Sequence, residues 1–499
     1  MNSILLRLFS AFLIISLLIG FTSCGDNSGD NSDLVTTDGA AADEVVTAAE
    51  TESLIPNVDL GGESYTILNL HSYWGMYTTI CPEELNGEVL NDAVYLRNQR
   101  LEQALNCKII DTRTGTEGDY GNNIDSNNSI GKKSVLSGDD SYDVMYLSPT
   151  TVANEMAQGY FLNLYSLENF NLDAEYWDTA YNDSSKIGEN LYCASGDAHL
   201  MGYDSSWCLF FNENMLEKYG LEMPYDLVRQ GKWTIDSLFE YCNAVTNLNG
   251  DQSYKWEQNG NSVYGLSAHP NAPDKIIYAS GERYIKTNEE GLPYFSAGSE
   301  RFYDVCTKVA NLFGTEGVTF NAHWDDFNAS TGGYVYLFTT NRSAFLTAEI
   351  KAAQLMRDMD DTFGMLPLPK FDESQDEYQT TMMGNFCSML IPVTNARSED
   401  TALVMDTLAM LSHDEVIPVY YDSTVSQKGL RNEDSIEMLK IMRASRGVDM
   451  AVVYDWNADL ASALRTKFAK GDADIASLIE RHQKPIEAKM QKMIDLYLG

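Results

Sequence analysis

The strongest constraint on this chain is a series of short strand-like runs spaced by helical ones near its start. Ser64 to Leu70 (SYTILNL) is a compact, β-prone run. Asn91 then reads as an N-cap opening a helix to about Leu105, with Leu90, Val94, Leu101 and Leu105 at helical spacing. Cys107 to Asp111 is the next strand. A Gly/Asn/Ser-rich loop follows over 114–131, then a short helical stretch, and Tyr142 to Leu147 is a third strand. Strand, helix, strand with buried strands implies a parallel sheet with right-handed crossovers. Ligands of such sheets gather beyond the carboxyl ends of the strands. That rule points to Asn69–Trp74 and to Leu147–Thr151.

A second region of the same character begins around Gly202. Trp207 to Phe211 is strand-like, and Asn212 caps a short helix that ends at Gly220. Thr234 caps another helix, with Leu238, Phe239, Cys242 and Val245 on one face. Loops and short strands dominate 249–298, and helical patterning resumes over 299–313. Ser343–Thr347 and the Asp361–Lys370 segment read as strands. Helices fill about 398–412, 434–445, 457–469 and 473–497, the last with a kink near Pro485.

The first residues carry an address rather than a fold. Met1 to Arg7 is a short basic start, and Leu8 to Thr22 is uncharged and mostly apolar, too short to span a bilayer. Phe21-Thr22-Ser23-Cys24 resembles a lipobox, which makes 1–23 a lipoprotein signal peptide and Cys24 the lipidated residue. Residues 24–55 follow as an acidic flexible tether, with eight acidic residues over 25–55 and no Lys or Arg. Seven further cysteines (81, 107, 193, 208, 242, 306 and 387) are widely spaced with no C-x-x-C. Their pattern indicates neither zinc nor a redox pair. Most read as small buried hydrophobes, and one disulfide is left open by the spacing.

Charge narrows the partners. The 499 residues carry 34 Lys+Arg against 73 Asp+Glu, a net −39. Nucleic acid and anionic membrane surfaces are therefore poor partners. From residue 56 onward the charge is still −32, which favours a neutral or cationic ligand over an anionic one. Motifs of catalysis are absent: there is no G-x-S-x-G elbow, no P-loop and no H-E-x-x-H. The sequence implies neither a cofactor nor a metal. Aromatics are prominent instead, with 7 Trp and 29 Tyr. Many of them fall at strand ends or in loops, where a ring face suits the C–H face of a sugar.

Several segments, in order, resemble the family 1 extracellular solute-binding proteins of ABC importers, the maltose-binding-protein-like type. They are Gly87–Asn98, Tyr142–Met145 with Gly159, Phe211-Asn212 through Tyr219–Leu221, Pro224–Thr234, Phe363–Lys370 with Gln375 and Tyr378, and Lys428–Met438. The resemblance spans roughly 60–499. It implies an α/β fold of the two-lobed periplasmic-binding-protein type II, each lobe a mostly parallel sheet flanked by helices, joined by a multi-segment hinge. Crossings fall near His199–Asp204, Thr347–Glu349 and Leu411–Val416. The lobes are then discontinuous, with 56–200 and 348–413 in the N-lobe and 201–347 and 414–499 in the C-lobe.

Carried over position by position, the resemblance implies a ligand site of Ser72 and Trp74 after the first strand, and Ser148, Thr150 and Thr151 after the third. Tyr203, Asp204 and Trp207 fall at the first crossing and Glu349 after the second. Trp324 and Trp456 are the stacking candidates of the second lobe. Arg97, on an otherwise apolar helix face, reads as a structural ion-pair or carbonyl-binding residue rather than a ligand contact. The expected function is capture of a solute, foremost a carbohydrate or oligosaccharide, by a monomer anchored on the outer face of the bacterial cytoplasmic membrane. Delivery would be to the transmembrane subunits of an ABC permease, without enzymatic activity. The alternatives are a ligand-binding component of a sensory system and a surface glycoside-active enzyme.

Overall fold

The computed structural model describes residues 55–116, 123–321, 333–384, 386–426 and 433–498. The signal segment, Cys24, almost all of the tether and Trp324 lie outside them. Two sheets carry the architecture. Their strands are β1 (Glu63–Leu70), β2 (Cys107–Thr114), β3 (Val144–Leu147), β4 (Trp207–Asn212), β5 (Tyr264–Ala268), β6 (Thr319–Asn321), β7 (Ser343–Glu349), β8 (Phe363–Leu366) and β9 (Ser388–Leu390).

The first sheet has the order β9-β3-β1-β2. β1 runs parallel to β2, in register from Glu63↔Cys107 to Leu70↔Thr114, and parallel to β3. β9 closes the far edge antiparallel to β3. The second sheet has the order β8-β4-β7-β5-β6. β5 is parallel to both β6 and β7, whereas β4 is antiparallel to β7 and β8. Two such sheets with helices packed around them form the two-lobed periplasmic-binding-protein fold.

Local chemistry explains the element ends. Helix α1 (Val89–Leu105) is capped by Glu88, whose carboxylate accepts from the Asn91 amide at 2.7 Å, so Asn91 lies inside the helix rather than at its cap. Asn106, at φ +46°, ends α1 in the left-handed region that Asn tolerates, and β2 starts at the next residue. Asn212 accepts from the Met215 amide at 2.8 Å and caps the helix at Glu213–Lys218. Thr234 and Ser237 form a reciprocal capping box at the start of α2 (Ile235–Val245). Arg97 is buried and donates to the Ile80 carbonyl at 3.1 Å and to Ser412, tying α1 to the later helix Ser398–Glu415.

The hinge differs from the sequence expectation. The chain enters the second sheet through the Met201–Asp204 turn and β4. It does not leave at Thr347–Glu349. Those residues sit fully buried in β7, where Glu349 pairs with Trp207, and the chain goes on to β8, whose Phe363 pairs with Asn212. The free edge of β4 needs an apolar partner, and the buried Phe-Gly-Met-Leu run supplies it. Residues 348–366 therefore belong to the second lobe, and the return to the first lies between Leu366 and Ser388. The last crossing is made by a helix the sequence reading omitted, Ile417–Ser426. It packs on α1 at one side and on Glu433–Ala444 at the other, with Ile417 and Tyr420 against Leu90 and Val94. The terminal helix Ala476–Leu498 packs against Pro149–Ala157 of the first lobe as well as Pro293–Phe295 of the second, so 414–499 is not confined to one lobe.

A buried ionic cluster braces the crossings. Arg446 meets Asp178 at 2.6 Å, and Arg443 meets Asp197 at 2.9 Å. His413 bonds Asp197 at 2.7 Å, and the Tyr203 hydroxyl donates to Asp197 at 2.7 Å. The Arg446 guanidinium lies 3.9 Å from the centre of the Tyr203 ring.

Candidate functional site

A cavity of about 800 Å³ opens between the two lobes, lined from both. From the first lobe come the loop after β1 and the first turn of the helix Pro149–Ala157. Tyr73 is buried and Trp74 is 44% exposed, their rings edge to face at 6.3 Å. Trp74 has φ +52°, in a region that a bulky L-residue seldom occupies. Burying Tyr73 while turning the backbone there aims the next ring outward. Thr150 also lines the cavity, and its hydroxyl donates to the Val452 carbonyl at 2.9 Å.

The second lobe contributes an aromatic wall. Trp207, at the start of β4, is 1% exposed, and its indole N–H has no hydrogen-bond partner among the described residues. The His269 ring stands edge-on to Trp207 at 5.3 Å and to Tyr334 at 5.3 Å. His269 Nδ1 accepts from the Asn271 amide at 3.0 Å, which places the proton of the neutral ring on Nε2. His269 and Asn271 follow the carboxyl end of β5, where the strand-end rule puts ligand groups.

Charged groups fill the remaining wall. Glu349 is 3% exposed and, among the described residues, its carboxylate makes no hydrogen bond or ion pair. Lys275 donates to the Met382 carbonyl at 3.1 Å and lies 5.6 Å from the centre of a Trp207 ring. Burial lowers the basicity of Lys275 and of Lys351, and nearby carboxylates, Glu349 among them, oppose it. Asp274 accepts from the Tyr284 hydroxyl at 3.0 Å and pairs with Arg465. Asp449 accepts from the amides of Tyr284 and Ala451, and burial raises its pKa. Among the described residues, no group of three or more His, Cys, Asp and Glu is placed to hold a metal ion.

Of the expected site residues, Trp74, Thr150, Trp207 and Glu349 meet at this cavity. The others stand elsewhere. Ser72 is half-buried and off the lining. Ser148 lies beneath the surface, its amide donating to Asn128 at 3.0 Å, and Thr151 faces outward. Tyr203 and Asp204 are turned into the hinge. Asp204 accepts from the Tyr77 amide at 2.6 Å and the Tyr420 hydroxyl at 2.8 Å. Trp456 is buried and stacked on Tyr454 at 4.9 Å. These three side chains are already occupied by internal partners. His269 and Lys275 were missed because 249–298 reads as loops, although the end of β5 carried the signal; Tyr334 and Lys351 lie outside that stretch, in the helix Gly333–Thr339 and just after β7.

No protein-family model matches the sequence, and no curated protein matches it. Solved structures do match in fold. One is a cyclo/maltodextrin-binding protein complexed with maltotetraose (14% identity, TM-score 0.55, covering 86% of this chain and 97% of that one). Another is a sugar transporter from Rhizobium etli in an open conformation (12% identity, TM-score 0.55, 85% and 99%). A third is UgpB from Mycobacterium tuberculosis in complex with glycerophosphocholine (15% identity, TM-score 0.52, 85% and 99%). At these identities the likeness is one of fold: the chain has the two-lobed binding-protein architecture.

Proposed function

We propose that the chain is an extracellular receptor that captures a saccharide in the interlobe cavity and presents it to an ABC permease. The observation that carries the reading is the pairing of an exposed, outward-aimed Trp74 on one lobe with the Trp207–His269–Tyr334 wall on the other. Apolar ring faces of this kind suit the C–H faces of a pyranose. The free Trp207 N–H and the free Glu349 carboxylate supply a donor and an acceptor for its hydroxyls. The volume of about 800 Å³ suits an oligosaccharide rather than a single ion. Of the fold neighbours named above, one is complexed with maltotetraose and another is a sugar transporter, which agrees with this choice.

The mechanism asked of these residues is binding, not turnover. Hinge motion brings Trp74 and Thr150 toward Trp207 and Glu349 around the ligand. The closed form is the state a permease would read. Cys24 as lipid anchor, the acidic tether and the outward location on the membrane belong to the same reading. A thermal-shift and calorimetry screen tests it. A true ligand at about 100 times its Kd stabilises the fold by about 2.7 kcal/mol. If peptides, polyamines or metal ions raise Tm while no saccharide does, the ligand class is wrong.

A further inference from the structure

The charges inside the cleft do not follow the charge of the chain. The sequence as a whole is −39, yet most acids of the cleft are already engaged. Asp274 is held by Arg465 and the Tyr284 hydroxyl, and Glu282 by Lys286 at 3.0 Å. Asp449 accepts two backbone amides, and Asp455 stands exposed at the rim. What remains unmatched is two ammoniums and one carboxylate. Lys275 is 9% exposed and, among the described residues, has a single carbonyl acceptor for its three N–H groups. The Lys351 ammonium, among the described residues, has neither a hydrogen bond nor an ion pair, and the same holds for the carboxylate of Glu349, a residue 3% exposed. Both amines lie within electrostatic reach of Glu349, but neither is close enough to pair with it.

Burying an ammonium without an acceptor costs several kcal/mol. An arriving anion supplies missing acceptors to both amines at once, to the buried Lys275 beside its one carbonyl and to the half-buried Lys351. Glu349 works in the opposite direction: it repels a second negative group and accepts hydroxyl protons instead. We infer that the saccharide taken by this cleft carries one anionic substituent, a uronic-acid carboxylate or a sulfate ester. Lys275 and Lys351 hold that group, while Glu349 accepts hydroxyls of the neighbouring ring. This rests on the saccharide reading above and names its chemical class. It reverses the expectation, drawn from net charge alone, of a neutral or cationic ligand.

The test is calorimetry on the full chain with three arms of matched backbone: uronic-acid oligosaccharides, sulfated oligosaccharides and their neutral parent. One charged arm is expected to bind at least about tenfold tighter than the neutral parent, the scale of one charge-assisted hydrogen bond. Its affinity should fall as NaCl is raised. Lys351→Met should bring the charged and neutral affinities to within about twofold of each other. Lys275→Met should act alike. Because Lys275 also bonds the Met382 carbonyl, Lys351→Met and the salt dependence decide the matter if Lys275→Met misfolds. Whichever charged arm binds tighter identifies the anion. Neutral parent binding as tightly as both charged arms overturns the inference and leaves the saccharide reading standing. Charge preference surviving in the lysine variants overturns it as well. If no arm binds at all, the saccharide reading fails, and this inference fails with it.

Discussion

Replacing Trp74 separates binding from folding. The ring is 44% exposed, sits at φ +52° and touches the buried Tyr73 only edge to face. Covering the exposed part of a side chain of about 250 Å² removes about 110 Å² from water. At about 25 cal/mol per Å² that is an upper bound near 3 kcal/mol, with about 1 kcal/mol for the stack alone. Trp74→Ala should therefore weaken saccharide binding by about 1–3 kcal/mol, roughly fivefold to a hundredfold in Kd. The backbone gives a second number. A left-handed residue costs about 1–2 kcal/mol unless it is glycine, and glycine gives back about 0.5–1 kcal/mol in chain entropy. Trp74→Gly should then be more stable than Trp74→Ala by about 0.5–1 kcal/mol while binding just as weakly. Calorimetry reads the first quantity and urea unfolding the second. If both variants lose more than about 2 kcal/mol of stability with Kd unchanged, the ring is a packing residue and its assignment to the cleft fails.

Other outcomes follow from the packing and the charges. A Cβ on Gly364 would lie 2.2 Å from the Tyr225 hydroxyl and 2.4 Å from the Phe211 ring. Gly364→Ala should cost about 1–3 kcal/mol or more in urea unfolding, and an unchanged midpoint would refute the tight β8–β4 contact. Arg446→Met removes one of the two cations beside the buried Asp178, leaving Arg443 at 3.2 Å, and should cost up to about 3–5 kcal/mol, partly recovered by adding Asp178→Asn; no recovery would mean the pair is not the cause. His199 is held neutral, its pKa lowered to about 3 by burial first and by Arg97 second. The unfolded chain takes up that proton below about 6.5 and the folded one does not. Its stabilising contribution is therefore complete above that pH and drains as pH falls toward 3. His199→Gln should flatten the loss of stability between pH 7 and about 4.5, and an equal slope in both proteins would sink the argument.

Much of the fold was legible because its signals are local. The runs 64–70, 142–147 and 207–211 stand where strands form, and the caps at Asn212 and Thr234 depend on side chains reaching three residues ahead. What escaped depends on contacts far apart in the chain. Nothing within residues 348–366 announces that Phe363 will pair with Asn212. The helix Ile417–Ser426, with Pro418 and two valines, has poor intrinsic propensity and is held by packing on Leu90 and Val94. The same limit governs the site. Trp74 and Trp207 were recognisable as strand-end aromatics, but Tyr203 and Trp456 fit that description equally well and are spent on the hinge and the core. A ring's position in the sequence does not say whether its neighbour will be a ligand or another side chain.

The late arrival of β9 in the first sheet sets a timetable for making the molecule. β3 ends at Leu147 and its edge partner begins at Ser388, about 240 residues later. At synthesis rates of about 5–20 residues per second, that edge stands bare for roughly 10–50 s. It presents unpaired N–H and C=O groups and an apolar Val-Met-Tyr-Leu run to any strand that comes near. The second sheet acquires its last strand at Leu366, before the first is closed. The lobe begun later is thus finished earlier, and the nascent chain is most exposed to aggregation while its opening strands wait for the residues that will shield them.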